Sequence, residues 1–219
     1  MGAVTAMLVY SEDDAKVVLP GHPVPDREAT RAMARRLQPH GVLEEIGDGN
    51  LLENVNPPDG RMYVGCFPGL TVICAPEAAV DQPSQLPPNL LEPAGNATVY
   101  LHAMHSAVDW FAYAMWERGT LVRSLSLAPE YGILEETGDA LMFEKPYWSG
   151  DRAPLRPCPF PFHPLDLGEE ALRAMFGITY EGKPFDGDPD LREITLLGFR
   201  YDDSPGIQET VGSSGLETS

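Results

Sequence analysis

The run from Thr98 to Ala128, TVYLHAMHSAVDWFAYAMWERGTLVRSLSLA, constrains this chain more than any other stretch. It is rich in β-branched and aromatic residues, and Arg118-Gly119 interrupts it as a tight turn would, so it predicts paired β-strands. With the chain reversing at Arg118-Gly119, unbroken pairing sets Trp116 opposite Leu121, Ala114 opposite Arg123, Ala112 opposite Leu125 and Trp110 opposite Leu127, all on one face. The other face then receives Met115, Val122, Tyr113, Ser124, Phe111 and Ser126, with Asp109 at its end. Neither face is polar enough to meet water, which predicts central strands covered on both sides.

The rest of the chain supports a sheet-rich domain. Its 219 residues are 43% hydrophobic and 22% charged, a globular composition, and its 22 prolines and 21 glycines argue against an all-helical bundle. Ala3 to Tyr10 reads as a first strand. Asp26 is placed to cap a helix with Ala29, Ala32, Met33 and Leu37 on one face. Met62–Phe67 and Leu70–Ala75 predict a hairpin around Pro68-Gly69, with Cys66 opposite Thr71 and Cys74 opposite Tyr63, so the two thiols point to opposite faces. Gly132–Glu136 and Leu141–Phe143 are expected to extend the same sheet. The Pro-rich stretch 145–164 predicts a semi-rigid loop held on the core by its phenylalanines. Asp166 begins a helix with a buried stripe of Leu167, Ala171, Ala174 and Met175, which Gly177 ends, and Leu191–Tyr201 is a final strand. The expected fold is α+β: a single domain over residues 1–203, a mostly antiparallel sheet with two or three helices, followed by a disordered tail over 204–219.

Charge narrows the function. The formal net charge is −18, and the acidity is spread, with 14 acidic and 6 basic residues through Trp110 and 19 and 9 beyond it. No basic stripe exists to displace counterions from phosphates, so nucleic acid is not expected as a partner. The start of the chain lacks a basic signal-peptide region, and no apolar run approaches the roughly 20 residues that span a bilayer. Three scattered cysteines without a CxxC pair fit a reducing compartment. These features place the protein in the cytoplasm, away from membranes.

Within the opening run His102, His105, Asp109 and Arg123 form a candidate polar cluster, with Tyr113, Ser124 and Ser126 as candidate ligand contacts. On a helix H-x-x-H-x-x-x-D would line one face and could hold a metal; on a strand the two histidines point apart, so no metal or other cofactor is expected. Arg123 among tryptophans and leucines needs a partner: it snorkels, stacks on Trp110 or Trp116, or clamps an anion. Ser106 beside His105 and Asp109 lacks the elbow sequence of a serine hydrolase. Cys66 reads as a buried hairpin thiol, and Asp186-Gly187-Asp188-Pro189-Asp190 as an acidic turn, because Leu191 and Leu197 stand where a calcium loop needs Gly and Glu.

At NPPDG (Asn56–Gly60), GCFPG (Gly65–Gly69), YLHAMHSAVDWFAYAMWE (Tyr100–Glu117), LVRSLSL (Leu121–Leu127), PFHPLDLGEEALRAMFG (Pro161–Gly177) and LGFR (Leu197–Arg200), the chain resembles a family of uncharacterised actinobacterial proteins known only as a domain of unknown function. The resemblance runs over most of residues 1–201 and implies one compact domain in a bacterial cytoplasm; it implies no activity. The hairpin from Asp109 is also similar to small bacterial immunity-type domains over a short stretch. No catalytic arrangement meets its geometric requirements, so the expectation is a non-enzymatic protein-interaction or regulatory protein whose partner is a protein or a small anionic ligand. The competing expectation is a hydrolase or small-molecule enzyme centred on His102, His105, Asp109 and Arg123.

Overall fold

The computed structural model describes residue 2 and residues 4–21, 23–182 and 184–202; the expected tail at 204–219 lies outside them. The strands among these residues are β1 (Val4–Ser11), β2 (Leu43–Asn50), β3 (Arg61–Phe67), β4 (Leu70–Cys74), β5 (Thr98–His105), β6 (Trp110–Glu117), β7 (Thr120–Ala128), β8 (Gly132–Thr137) and β9 (Thr195–Tyr201). They make one nine-stranded sheet in the order β2-β9-β3-β4-β1-β5-β6-β7-β8, antiparallel at every junction. The helices are α1 (Ala15–Val18), α2 (Arg27–Leu37), α3 (Leu51–Asn54), α4 (Lys145–Trp148) and α5 (Pro164–Phe176), with five 3₁₀ turns besides. The fold is therefore α+β and mostly sheet, with more helical segments than the two or three expected. The extra ones are single turns, too short to leave a 3.6-residue pattern in the sequence.

Strand β1 is apolar along nearly its whole length and lies at the centre, where both faces are covered. On one face α1, α5 and the segment 141–162 bury Met7, Val9, Met104, Phe111, Leu125 and their neighbours. On the other, α2 and the 3₁₀ turns between residues 76 and 94 bury Leu8, Val64, Leu101, Trp110, Trp116 and Phe199. Each large apolar side chain so covered contributes about 1.5–3 kcal/mol over leaving it in water. The outer strand β2 (LEEIGDGN) is polar, and its carboxylates are paired at the surface: Glu45 with Arg31, Asp48 with Arg27 and Glu44 with Arg200. Charge on an edge strand discourages further strand addition.

The hairpin β3–β4 has the expected register, Tyr63 opposite Cys74 and Cys66 opposite Thr71. The strands at Ala3–Tyr10 and Leu191–Tyr201 are present with shifted ends, at Val4–Ser11 and Thr195–Tyr201. Asp26 caps α2 through the Ala29 amide, but the buried stripe is Thr30, Ala34 and Leu37, with Ala29 and Ala32 exposed. Thr30 can turn inward because its hydroxyl donates to the Asp26 carbonyl at 2.6 Å and accepts from the Cys66 amide at 3.0 Å. Helix α5 begins two residues before Asp166, with Pro164 in its first turn, and ends at left-handed Gly177 (φ 66°) as expected. Its stripe takes Leu172 and Phe176 in place of Ala174. Leu141–Phe143 does not extend the sheet; it turns beneath it and leads into α4, which occupies the start of the Pro-rich stretch.

The hairpin β6–β7 reverses at Arg118-Gly119, but its register departs from unbroken pairing. Trp116 does face Leu121; the next pair is Met115 with Arg123, and then Ala114 with Ser124, Tyr113 with Leu125, Ala112 with Ser126 and Phe111 with Leu127. Val122 is the extra residue of a β-bulge, and it transfers every β7 side chain from Arg123 onward to the face opposite the one simple alternation assigns. The bulge rests on Gly138, whose φ is +77° and whose added Cβ would lie 2.0 Å from the Val122 carbonyl oxygen. Gly138→Ala is expected to cost about 1–3 kcal/mol through backbone strain and displacement of the bulge. A urea midpoint equal to the parent's, with unchanged m, would contradict this account of the turn.

Candidate functional site

The bulge delivers Arg123 to the face that carries Phe111 and Tyr113, where Glu144 waits at the entry to α4. Neither side chain is exposed. Arg123 Nη2 donates to Glu144 Oε2 at 2.7 Å and Nε to Oε1 at 3.0 Å, a bidentate pair. Arg123 Nη1 donates to the carbonyls of Gly138 (2.9 Å) and Thr137 (3.3 Å), and Nη2 lies 3.5 Å from Glu136. Glu144 also accepts from the Tyr113 hydroxyl, from the Leu141 amide (2.6 Å) and from Trp148 Nε1 (3.1 Å). Burial by itself would lower the Arg123 pKa, but the hydrogen bond and charge of Glu144 outweigh it and the guanidinium is held more firmly charged than usual. Burial, and then the Glu144 charge, push the Tyr113 phenol up, so it stays protonated and donates. Among the described residues the one buried side-chain nitrogen or oxygen without a partner is Arg173 Nε, so this network is complete.

His102 is the second buried polar group. Its Nε2 lies 3.0 Å from the Gly168 carbonyl, which can only accept, so Nε2 carries the proton and Nδ1 accepts from the Thr5 hydroxyl at 2.9 Å. Gly168 lets α5 come this close: a Cβ there would meet Phe111 at 3.1 Å and Met104 Sδ at 3.3 Å. His102 thus pins α5 to the sheet as a neutral imidazole, and burial depresses its pKa to about 4.

The other sequence candidates lie apart. His105, on the opposite face of β5, is exposed at the strand end and accepts from the Ala107 amide at 3.3 Å. Asp109 sits in the β5–β6 turn with φ 51°, and its carboxylate is 3.6 Å from His163 Nε2. The bulge separates Tyr113 from the two serines: Ser124 donates to Glu135, and Ser126 accepts from Trp110 Nε1 at 3.1 Å on the far face. His102, His105, Asp109 and Arg123 do not converge on a shared cavity. Among the described residues no three His, Cys, Asp or Glu side chains are grouped as a metal ion would require.

Sequence reasoning missed Glu144, His163 and Thr5. Glu144 left one trace, a lone carboxylate inside the aromatic run MFEKPYW, which is the chemical complement of an unexplained arginine in another aromatic run. His163 and Thr5 left none, since their partners are 54 and 97 positions away.

Several depressions open on the surface of the described residues. A cleft of about 1100 Å³ lies at the strand ends near Arg36, Asn96 and Arg118. A second, of about 720 Å³, lies beside His105 and Arg192. A groove of about 420 Å³ runs between α1, α5 and residues 141–143 over Tyr100 and Met115.

The chain that builds this two-faced antiparallel sheet is a member of a recognised sequence family. Residues 5–199 match the model of a family of unknown function, DUF6928, and the chain belongs to that family. No curated protein and no solved structure matches it.

Two outcomes follow from these geometries. Arg123→Met or Glu144→Leu alone leaves a buried charge unpaired and should cost about 3–5 kcal/mol, while the double variant should recover part of that loss. Equal, additive losses in a denaturation cycle would show that the two groups are uncoupled. His102 has a folded-state pKa near 4, below its ordinary 6.5, so its contribution is complete above pH 6.5 and is lost as the pH falls through 4. This corresponds to about 3 kcal/mol across that window. His102→Gln should flatten the urea-midpoint-against-pH curve between those values.

Proposed function

We propose that this protein is a non-enzymatic interaction protein of the cytoplasm, and that it receives a basic, apolar-tipped segment of a protein partner in the groove between α1 and α5. One observation carries the proposal. Tyr100, Met115, Leu141, Phe143 and Ala174 are all partly exposed in that one groove, an apolar strip where the cover of the sheet parts. Its mouth is acidic: Asp13 and Asp14 line it with Lys16, and the Tyr100 phenol is pushed up first by burial and then by the charges of Glu117 and Asp14. A chain of net charge −18 steers cationic partners toward such a mouth and repels copies of itself. Nucleic acid does not suit this surface.

The rival enzymatic reading needs His102, His105, Asp109 and Arg123 to meet a substrate together, and their present partners are Thr5 and Gly168, Ala107, His163 and Glu144. Three free cysteines, two of them buried, agree with a reducing compartment, and no helix among the described residues is long and apolar enough to cross a membrane.

Ala174→Arg tests the proposal without removing core packing, because Ala174 faces the groove from the last turn of α5 and arginine is a good helix former. The expected result is an unchanged melting temperature and loss of a stoichiometric cross-linked protein from native extracts. Retention of that protein by the variant would reject the groove. Absence of any stoichiometric partner for the parent chain, together with turnover in a substrate screen, would reject the function.

A further inference from the structure

The chain has 15 basic and 33 acidic residues, and among the described residues Arg27, Arg31, Arg123, Arg192 and Arg200 reach a carboxylate in ion pairs. Arg36 and Arg118 do not. Among the described residues neither is within ion-pair distance of a carboxylate, and both line the same cleft of about 1100 Å³.

We infer that this cleft is a binding site for a small organic anion, a phosphate ester or a polycarboxylate, whose oxyanion is held by Arg36 and Arg118. Arg36 is in the last turn of α2, and its Nη2 donates to the Pro93 carbonyl at 2.6 Å, which fixes the guanidinium at the wall and leaves its other donors open. Arg118 occupies the β6–β7 turn with φ 50°, a left-handed position where a non-glycine residue is uncommon. The turn sets its long side chain at the rim. A guanidinium presents paired N–H donors that match carboxylate and phosphate oxygens. Asn96, Thr98 and Thr120 line the same walls, and among the described residues their side chains have no partner in the fold. Glu12 and Glu117 share the rim and supply acceptors for hydroxyl or amine groups on the same ligand, so the cleft suits a molecule with both anionic and donor ends. Its volume accommodates a ligand of metabolite size. The site shares no lining residue with the groove proposed for the protein partner, and it stands or falls separately.

Titration calorimetry of the full chain at low ionic strength, with adenosine monophosphate as the phosphate probe and citrate as the carboxylate probe, tests the inference. At least one should saturate, with Kd about 1 mM or tighter. The probe that saturates identifies the source of the oxyanion. Arg118→Gln alters an exposed turn side chain and should weaken that binding about tenfold, as should Arg36→Met, each removing a charge-assisted contact worth about 1.4 kcal/mol. Arg156→Gln makes the same change of net charge outside the cleft and should bind like the parent. Failure of both probes to saturate would overturn the inference. So would parental affinity in both cleft variants, or an equal loss in Arg156→Gln.

Discussion

The Arg123–Glu144 pair is the interaction on which the rest of this structure depends. A guanidinium and a carboxylate with no exposed surface are tolerated only when each is fully engaged, since leaving either unpaired inside the core costs several kcal/mol. That requirement reaches outward in both directions. Toward the sheet, it selects the Val122 bulge, because the unbroken register would turn Arg123 onto the Trp110–Trp116 face, away from Glu144. Toward the loops, it draws in residues 137–148: Thr137 and Gly138 give carbonyls to Arg123, while Leu141 and Trp148 donate to Glu144. The segment that covers one side of the sheet is thus tied to it by the same charges that set the register.

His102 does a quieter version of the same work. Thr5 in β1, His102 in β5 and Gly168 in α5 are joined through one neutral ring, and the two buried polar centres are linked by the aromatic contacts His102–Phe111 and Phe111–Tyr113. The groups that look most chemical in the sequence are therefore spent on holding one helix and one loop to the sheet. What they leave over is a surface: a gap between α1, α5 and residues 141–143 where apolar side chains are partly exposed, and a polar cleft at the strand ends lined by Arg36 and Arg118.

Much of the fold was legible along the chain. The strand at Val4, the hairpin at Pro68-Gly69, the reversal at Arg118-Gly119, the cap at Asp26 and the stop at Gly177 all rest on local rules: apolar runs, turn residues, capping side chains and the tolerance of glycine for positive φ. The candidate site was legible as residue types and not as an arrangement. Arg123 was recognisable as a buried cation in need of a partner, and His102 and His105 as diverging if they lay on a strand.

Amino-acid order alone determined that this chain makes an antiparallel, two-faced sheet with an acidic surface, because side-chain periodicity, turn chemistry and charge act over a few neighbouring residues. Only the tertiary structure decided which face each β7 side chain meets and which carboxylate answers Arg123, 21 positions further on. The physical reason is that alternation along a strand has two equivalent phases. A single bulged residue exchanges them at little local cost, and the choice is made by the energy of burying a charge against a partner that the local sequence does not contain.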